Sequence, residues 1–211
     1  MKIEIIKENR KTISLKLLSS ERAVLKVPTR LSQEKIEKFL TSKKRWLENH
    51  AKMMWQKENF SKTFDFSQYL YINGESSGKT SEIVLGFDKL DIEAKKKAIK
   101  KYYLSLFPRV EALVREIAQQ SGLTFADLKP TTSGHIWGSF SSKKVMKLHW
   151  SLVILPLELQ RYVIYHEFAH SVHFNHSPKF WKLVEELCPD YKALKKKLKE
   201  YSFLLMGDLN I

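Results

Sequence analysis

Hydrophobic positions recur along this chain first with a period of two and then with a period near 3.6. Between residues 2 and 28, Ile3 and Ile5, then Ile13, Leu15 and Leu17, then Val24 and Val27 stand between polar neighbours, the spacing of half-buried strands. Glu8-Asn9-Arg10 and Ser19-Ser20-Glu21 punctuate them, so the pattern predicts a three-stranded β-meander closed by Pro28. From Ser32, a candidate N-cap, to Lys57 the period lengthens. Ile36, Phe39, Leu40, Trp46, Leu47 and Met54 fall near helical spacing with lysines opposite, and Trp46 and Trp55 read as packing anchors. Beyond a turn-rich link, Tyr69-Leu70-Tyr71-Ile72, the Asn73-Gly74 turn and Ile83-Val84-Leu85 predict a second hairpin.

The helical period returns from about Ile92 to Gln120, kinked or broken at Pro108. Ala98, Tyr102, Leu106, Val110, Leu113 and Ile117 form its apolar stripe, and Gly122 stands where a helix commonly ends in a left-handed residue. Leu128 to Ser133 and Lys144 to Trp150 read as two strands joined by the irregular stretch Gly134 to Ser142. Pro156 suits the first turn of the next helix, on which Leu159, Val163, Phe168 and Val172 face inward. Ser177-Pro178 then opens a helix through Leu187. A basic final helix comes next, with Tyr191, Leu194, Leu198 and Tyr201 on one stripe, and an apolar tail runs from Phe203 to Ile211. The pattern predicts an α+β protein. Residues 1–90 form a small β-rich N-terminal module with a basic helix, and 91–211 form a second domain with a two-stranded edge before its central helix.

Composition narrows the class. With 43% hydrophobic and 12% aromatic residues in 211, the chain can bury a core and is not of the disordered type. Cys188 is the one cysteine, which rules out an intramolecular disulfide and a thiolate zinc site and suits a reducing compartment. The N-terminus has charges every second or third residue and no signal-like apolar core, and no stretch reaches the length of a membrane span. A soluble, cytoplasmic protein is expected. The formal charge of +14 allows an anionic partner such as nucleic acid or a nucleotide. Its two densest clusters, Lys95, Lys96, Lys97, Lys100 and Lys101, and Lys192, Lys195, Lys196, Lys197 and Lys199, lie in helical segments where lysine commonly marks a solvated face. Gly74, Gly78 and Lys79-Thr80 lack the spacing of a phosphate-binding loop.

The chemistry concentrates in His166-Glu167-Phe168-Ala169-His170. At about 100° per residue, histidines four apart share a helix face and their imidazoles can converge on one ion. This H-E-x-x-H spacing holds Zn²⁺ on the histidines and leaves the glutamate beside the metal as a base for an activated water. A catalytic zinc needs a third ligand. On a continuing helix His173 would lie about 10 Å along the axis from His166. His176 would point away, but Asn175 and the Ser177-Pro178 helix start imply a turn that returns it to the metal. His176 is the favoured third ligand, with His173, Glu185 and Glu186 as alternatives.

His166-Glu167-Phe168-Ala169-His170, together with Asn175-His176-Ser177-Pro178-Lys179-Phe180-Trp181, Trp137-Gly138-Ser139 and Lys44-Arg45-Trp46-Leu47, resembles the YgjP-like metallopeptidase family, relatives of the SprT-like and WLM zincins. The resemblance covers most of the chain. It implies a zincin-like fold, zinc on His166, His170 and His176, Glu167 as catalytic acid/base, and hydrolysis of peptide bonds in a peptide or protein substrate. Phe140 stands where the family usually has cysteine and Ile136 where arginine commonly precedes the tryptophan, so substrate choice is where this chain would differ. His135 reads as a surface residue beside the cleft. The family's generic hydrolase character leaves a nucleotide phosphoanhydride as an alternative substrate, and the basic surface leaves a SprT-like association with nucleic acid.

Overall fold

The computed structural model describes residues 1–205 and Leu209, with backbone alone at 56, 57 and 61; the rest of the expected apolar tail lies outside the described residues. Contacts divide the chain into two compact units, Met1–Phe60 and Ser61–Ile211. The hairpin at residues 69–79 belongs to the second unit, hydrogen-bonded to the segment that leads into the central helix.

In the first unit, strands β1 (Lys2–Glu8), β2 (Ser14–Leu17) and β3 (Arg22–Pro28) form one sheet in the order β1-β3-β2. It is not a meander: β1 pairs parallel with β3, and β2 pairs antiparallel with it. Ala23, Leu25 and Val27 are fully buried on one face of β3, so this strand takes the centre and the more polar β1 and β2 become edges. Helix α1 (Gln33–Ser61) lays Ile36, Phe39 and Leu40 on Leu25 and Val27. Trp46 and Trp55 are not buried anchors. They are 38% and 57% exposed, while Leu47 takes the inward position, about three turns on from Ile36 and so on the same face.

The second unit begins with a hairpin, β4 (Tyr69–Ile72) and β5 (Glu75–Lys79). Its second strand is not Ile83-Val84-Leu85. Asn73 and Gly74 both have positive φ, 54° and 84°, the two-residue turn that pairs its flanking residues at once, so the polar Glu75-Ser76-Ser77-Gly78-Lys79 must pair. Ile83 instead closes the short helix α2 (Thr80–Ile83), and Leu85 is 97% exposed. Asn73 and Gly74, at the hairpin tip, donate backbone N–H bonds to the carbonyls of Val153 (3.0 Å) and Ile154 (2.7 Å). Buried Gln160 donates to Asn73 Oδ1 (2.9 Å) and to the Leu155 carbonyl (2.7 Å).

Helix α3 (Ile92–Ser105), capped by Asp91, and helix α4 (Phe107–Ser121), ended by Gly122 at φ 69°, divide at Leu106 just before Pro108. The inward stripe of α3 is Ile99 and Tyr103, one position on from Ala98 and Tyr102, and it continues through Phe107, Val110, Leu113 and Ile117. Ile99 outweighs Ala98 for the core face, and the Tyr103 hydroxyl finds a buried partner in the Tyr71 N–H. Strands β6 (Asp127–Thr131), β7 (Gly138–Phe140) and β8 (Val145–His149) form a three-stranded sheet in the order β6-β8-β7, with β6 parallel and β7 antiparallel to β8. The supposed irregular connection therefore contains a third strand. A 3₁₀ segment, Trp150–Ile154, leads into α5 (Leu157–Ala169), followed by α6 (Pro178–Leu187) and α7 (Tyr191–Leu198). Leu159, Val163 and Phe168 of α5 are buried, as the pattern predicted, but Val172 lies past the helix end and is 51% exposed. Among the described residues no helix is long and apolar enough to cross a membrane.

The buried hydroxyl of Tyr103 accepts the Tyr71 N–H at 2.9 Å, a further tie between hairpin and helix. Tyr103→Phe should leave that N–H unpaired and lower stability by about 1–3 kcal/mol, read by urea unfolding, with the far-ultraviolet dichroism of the folded state unchanged.

Candidate metal centre

Helix α5 places His166 and Glu167 within its last turn and ends at His170, its C-cap. The chain then turns back through Ser171–Asn175, and Ser177 caps α6 by accepting the Phe180 N–H (3.4 Å). His176 lies on that return. One nitrogen from each of His166, His170 and His176 falls within 4.8 Å of the others, and the Nε2 atoms of His166 and His176 are 3.1 Å apart. Two nitrogens on a tetrahedral zinc, each about 2.05 Å from it, would be about 3.3 Å apart. His173, the alternative, contributes its backbone instead: the His170 Nδ1–H donates to the His173 carbonyl at 3.1 Å, which leaves His170 Nε2 with its lone pair free. Glu185 and Glu186 are exposed, and Glu185 pairs with Lys192 at 3.2 Å.

The three rings rest on one residue that spacing alone did not single out as part of the site. The ring of Phe180, wholly buried, lies 4.9, 4.6 and 4.7 Å from those of His166, His170 and His176. Trp181 stacks on His176 (5.6 Å, 22°) and on Tyr191 (5.5 Å, 17°), with the Lys195 ammonium 3.9 Å from its ring centre. The signal available for both was the Ser177-Pro178 start: it fixes the phase of α6, and Phe180 and Val184 then form its buried face.

Electrostatics prepare the site for a cation. Burial, and then the neighbouring His170, His176 and Lys195, push the His166 imidazole down to about 3, and burial also lowers His170. Both are neutral, the form that ligates metal. Glu167 is 5% exposed, burial pushes its carboxyl up to about 8, and its Oε2 has no hydrogen-bond partner. A divalent charge beside it would favour the carboxylate. Three imidazoles facing one point beside a buried acid whose Oε2 is unpartnered thus fit Zn²⁺, although a His₃ set accepts several divalent ions.

An open cleft of about 470 Å³ lies over the three histidines and Glu167. Trp137, Gly138, Ser139 and Phe140 form one wall, with Ile136 and Phe174 also lining it. Ile136 and Phe140 thus both line the cleft, and Phe140 packs against Phe168 (6.5 Å). Trp137 is held from behind: its carbonyl accepts the His149 N–H (2.8 Å), and its ring meets the His149 ring edge-on. His135 is exposed and is not among the lining residues.

No curated protein sequence and no solved structure is significantly similar to this chain. Residues 11–201, however, match the YgjP-like metallopeptidase domain. The match spans both units and the whole of the histidine centre, and the chain belongs to the YgjP-like metallopeptidase family.

Proposed function

We propose that the protein is a zinc-dependent peptidase of zincin type, with His166, His170 and His176 as metal ligands and Glu167 as general base and acid. The observation that carries this reading is the convergence of three imidazoles beside a buried carboxyl whose Oε2 has no partner, at the floor of an open cleft. The bound cation would supply Lewis acidity to the scissile carbonyl and to the attacking water. Glu167 accepts the proton of that water and returns it to the departing amine. Strand β7 is the edge of its sheet, paired on one side with β8, and three of its residues line the cleft. Its other side offers backbone groups to an extended peptide, the mode by which sheet edges bind chains. The apolar side chains of Ile136, Phe140 and Phe174 at the same cleft suit a substrate with apolar residues near the scissile bond.

A nucleotide phosphoanhydride is the second reading. Lys195, stacked over Trp181 and felt by His166, favours it, since an ammonium near the metal would neutralise a phosphate. Against it, no lysine or arginine is among the described residues lining the cleft, and a triphosphate carries several negative charges into it. Peptide is therefore the preferred substrate class.

With zinc loaded, a mixture of fluorogenic peptides should be cut while nucleoside triphosphates are left intact, followed by mass spectrometry of the products; release of pyrophosphate with the peptides untouched would reverse the preference. Glu167→Gln should retain one zinc and lose roughly 10²–10⁴-fold in peptide turnover. Full activity in that variant would remove Glu167 from the mechanism. His176→Ala should bring zinc well below one equivalent by metal analysis after dialysis, and an unchanged stoichiometry would assign the third ligand elsewhere.

A further inference from the structure

Gly138 is a glycine for reasons of space, not of backbone conformation. Its φ is not in the left-handed region, unlike those of Gly74, Gly78, Gly86 and Gly122, so any L residue could adopt its backbone. A Cβ built there would lie 2.7 Å from Glu167 Cγ and 2.8 Å from both Cδ and Oε1. The strand thus closes on the carboxyl end of Glu167 to a distance that only a missing side chain permits.

Neither backbone can yield. Strand β7 is paired to β8 in the register Gly138↔Leu148, with Leu148 and Met146 wholly buried behind it, and Trp137 next door is anchored to His149. Helix α5 is held by Val163, Ile164 and Phe168, each at most 2% exposed. The soft element is the Glu167 side chain, with three rotatable bonds. Glu167 Oε2 has no hydrogen-bond partner, so no bond opposes its rotation, and contact with β7 is what limits it.

We propose that Gly138 is a positioning residue for Glu167: strand β7 acts as a stop that sets where the carboxyl lies relative to the three histidines. This rests on the reading of Glu167 as general base. A methyl group at position 138 would push the carboxyl away from its place while leaving the histidines, which it does not touch, free to bind metal.

The test uses four full-length proteins: wild type, Gly138→Ala, Glu167→Ala and the double variant. Zinc content should be the same in all four. In the wild-type background Gly138→Ala should lower Tm by about 2–10 °C, the effect of a crowded methyl. In the Glu167→Ala background, where the colliding atoms are gone, the drop should vanish; this pair of measurements remains readable even if the single Gly138→Ala protein folds poorly. Acetohydroxamate supplies a second readout, since it ligates zinc and its hydroxyl donates to a carboxylate beside the metal. Calorimetric affinity of the zinc-loaded protein for acetohydroxamate should fall roughly 10- to 100-fold in Gly138→Ala, as on loss of one charge-assisted hydrogen bond, and by a similar factor in Glu167→Ala. An equal Tm drop in both backgrounds, or wild-type affinity in Gly138→Ala when Glu167→Ala is weakened, overturns the positioning role. Wild-type affinity in Glu167→Ala overturns instead the reading of Glu167, and the Tm comparison then decides the steric claim alone.

Discussion

Two imidazole nitrogens 3.1 Å apart, with a third close by and a buried carboxyl next to them, form an arrangement that does not stabilise itself. With both Nε2 atoms unprotonated, as ligation requires, their facing lone pairs repel, and a buried carboxyl with an unsatisfied oxygen carries a desolvation cost of about 1–3 kcal/mol or more. A cation at the point where the nitrogens converge reverses both terms, since it accepts the lone pairs and favours the ionised carboxyl. Without it the surrounding fold must hold the groups in place. That requirement accounts for the packing around the site: Phe180 under all three rings, Trp181 against His176, the His173 carbonyl on His170, and a helix whose inward residues are fully buried.

The support extends to parts of the chain far from the metal in sequence. The Asn73-Gly74 tip bonds to Val153 and Ile154, immediately before α5 begins. Gly74 suits this place twice over, because its φ is 84° and a Cβ there would come within 2.8 Å of Pro156 Cγ. The hairpin thereby fixes the entry of α5, while the turn at Ser177 fixes the return of His176. Between these two constraints the helix has little freedom to slide, and a slide of one residue would rotate His166 by about 100° out of the site.

How much of this is legible in the sequence depends on how local each signal is. Residues four apart on a helix and a Ser-Pro helix start are short-range patterns, so the grouping of His166, His170 and His176 can be read from spacing. The break near Pro108 and the left-handed Gly122 are equally local. The pairing of β1 with β3 is not, because parallel pairing depends on which strand buries its face most fully, a property of the whole sheet. Strand β5 escaped because a tight turn, rather than hydrophobicity, makes Glu75–Lys79 extended. Strand β7 has three residues, a glycine among them, and no alternation to detect. Phe180 is visible as an apolar residue on an amphipathic helix, but only the fold reveals that its buried ring lies under the histidines.

Strand β7 combines two demands that bear on how this cleft can vary. Its in-plane edge is open to an extended chain, while its face toward α5 stands against Glu167. Because these directions are perpendicular, the strand can hold substrate and limit the carboxyl at once. The two demands differ in what they tolerate. The edge uses backbone groups and accepts many side chains. The face at 138 accepts none. Variation in substrate preference is therefore free to accumulate at Ile136, Phe140 and Phe174 around the rim, whereas the glycine between the tryptophan and the serine is constrained by the acid proposed as general base.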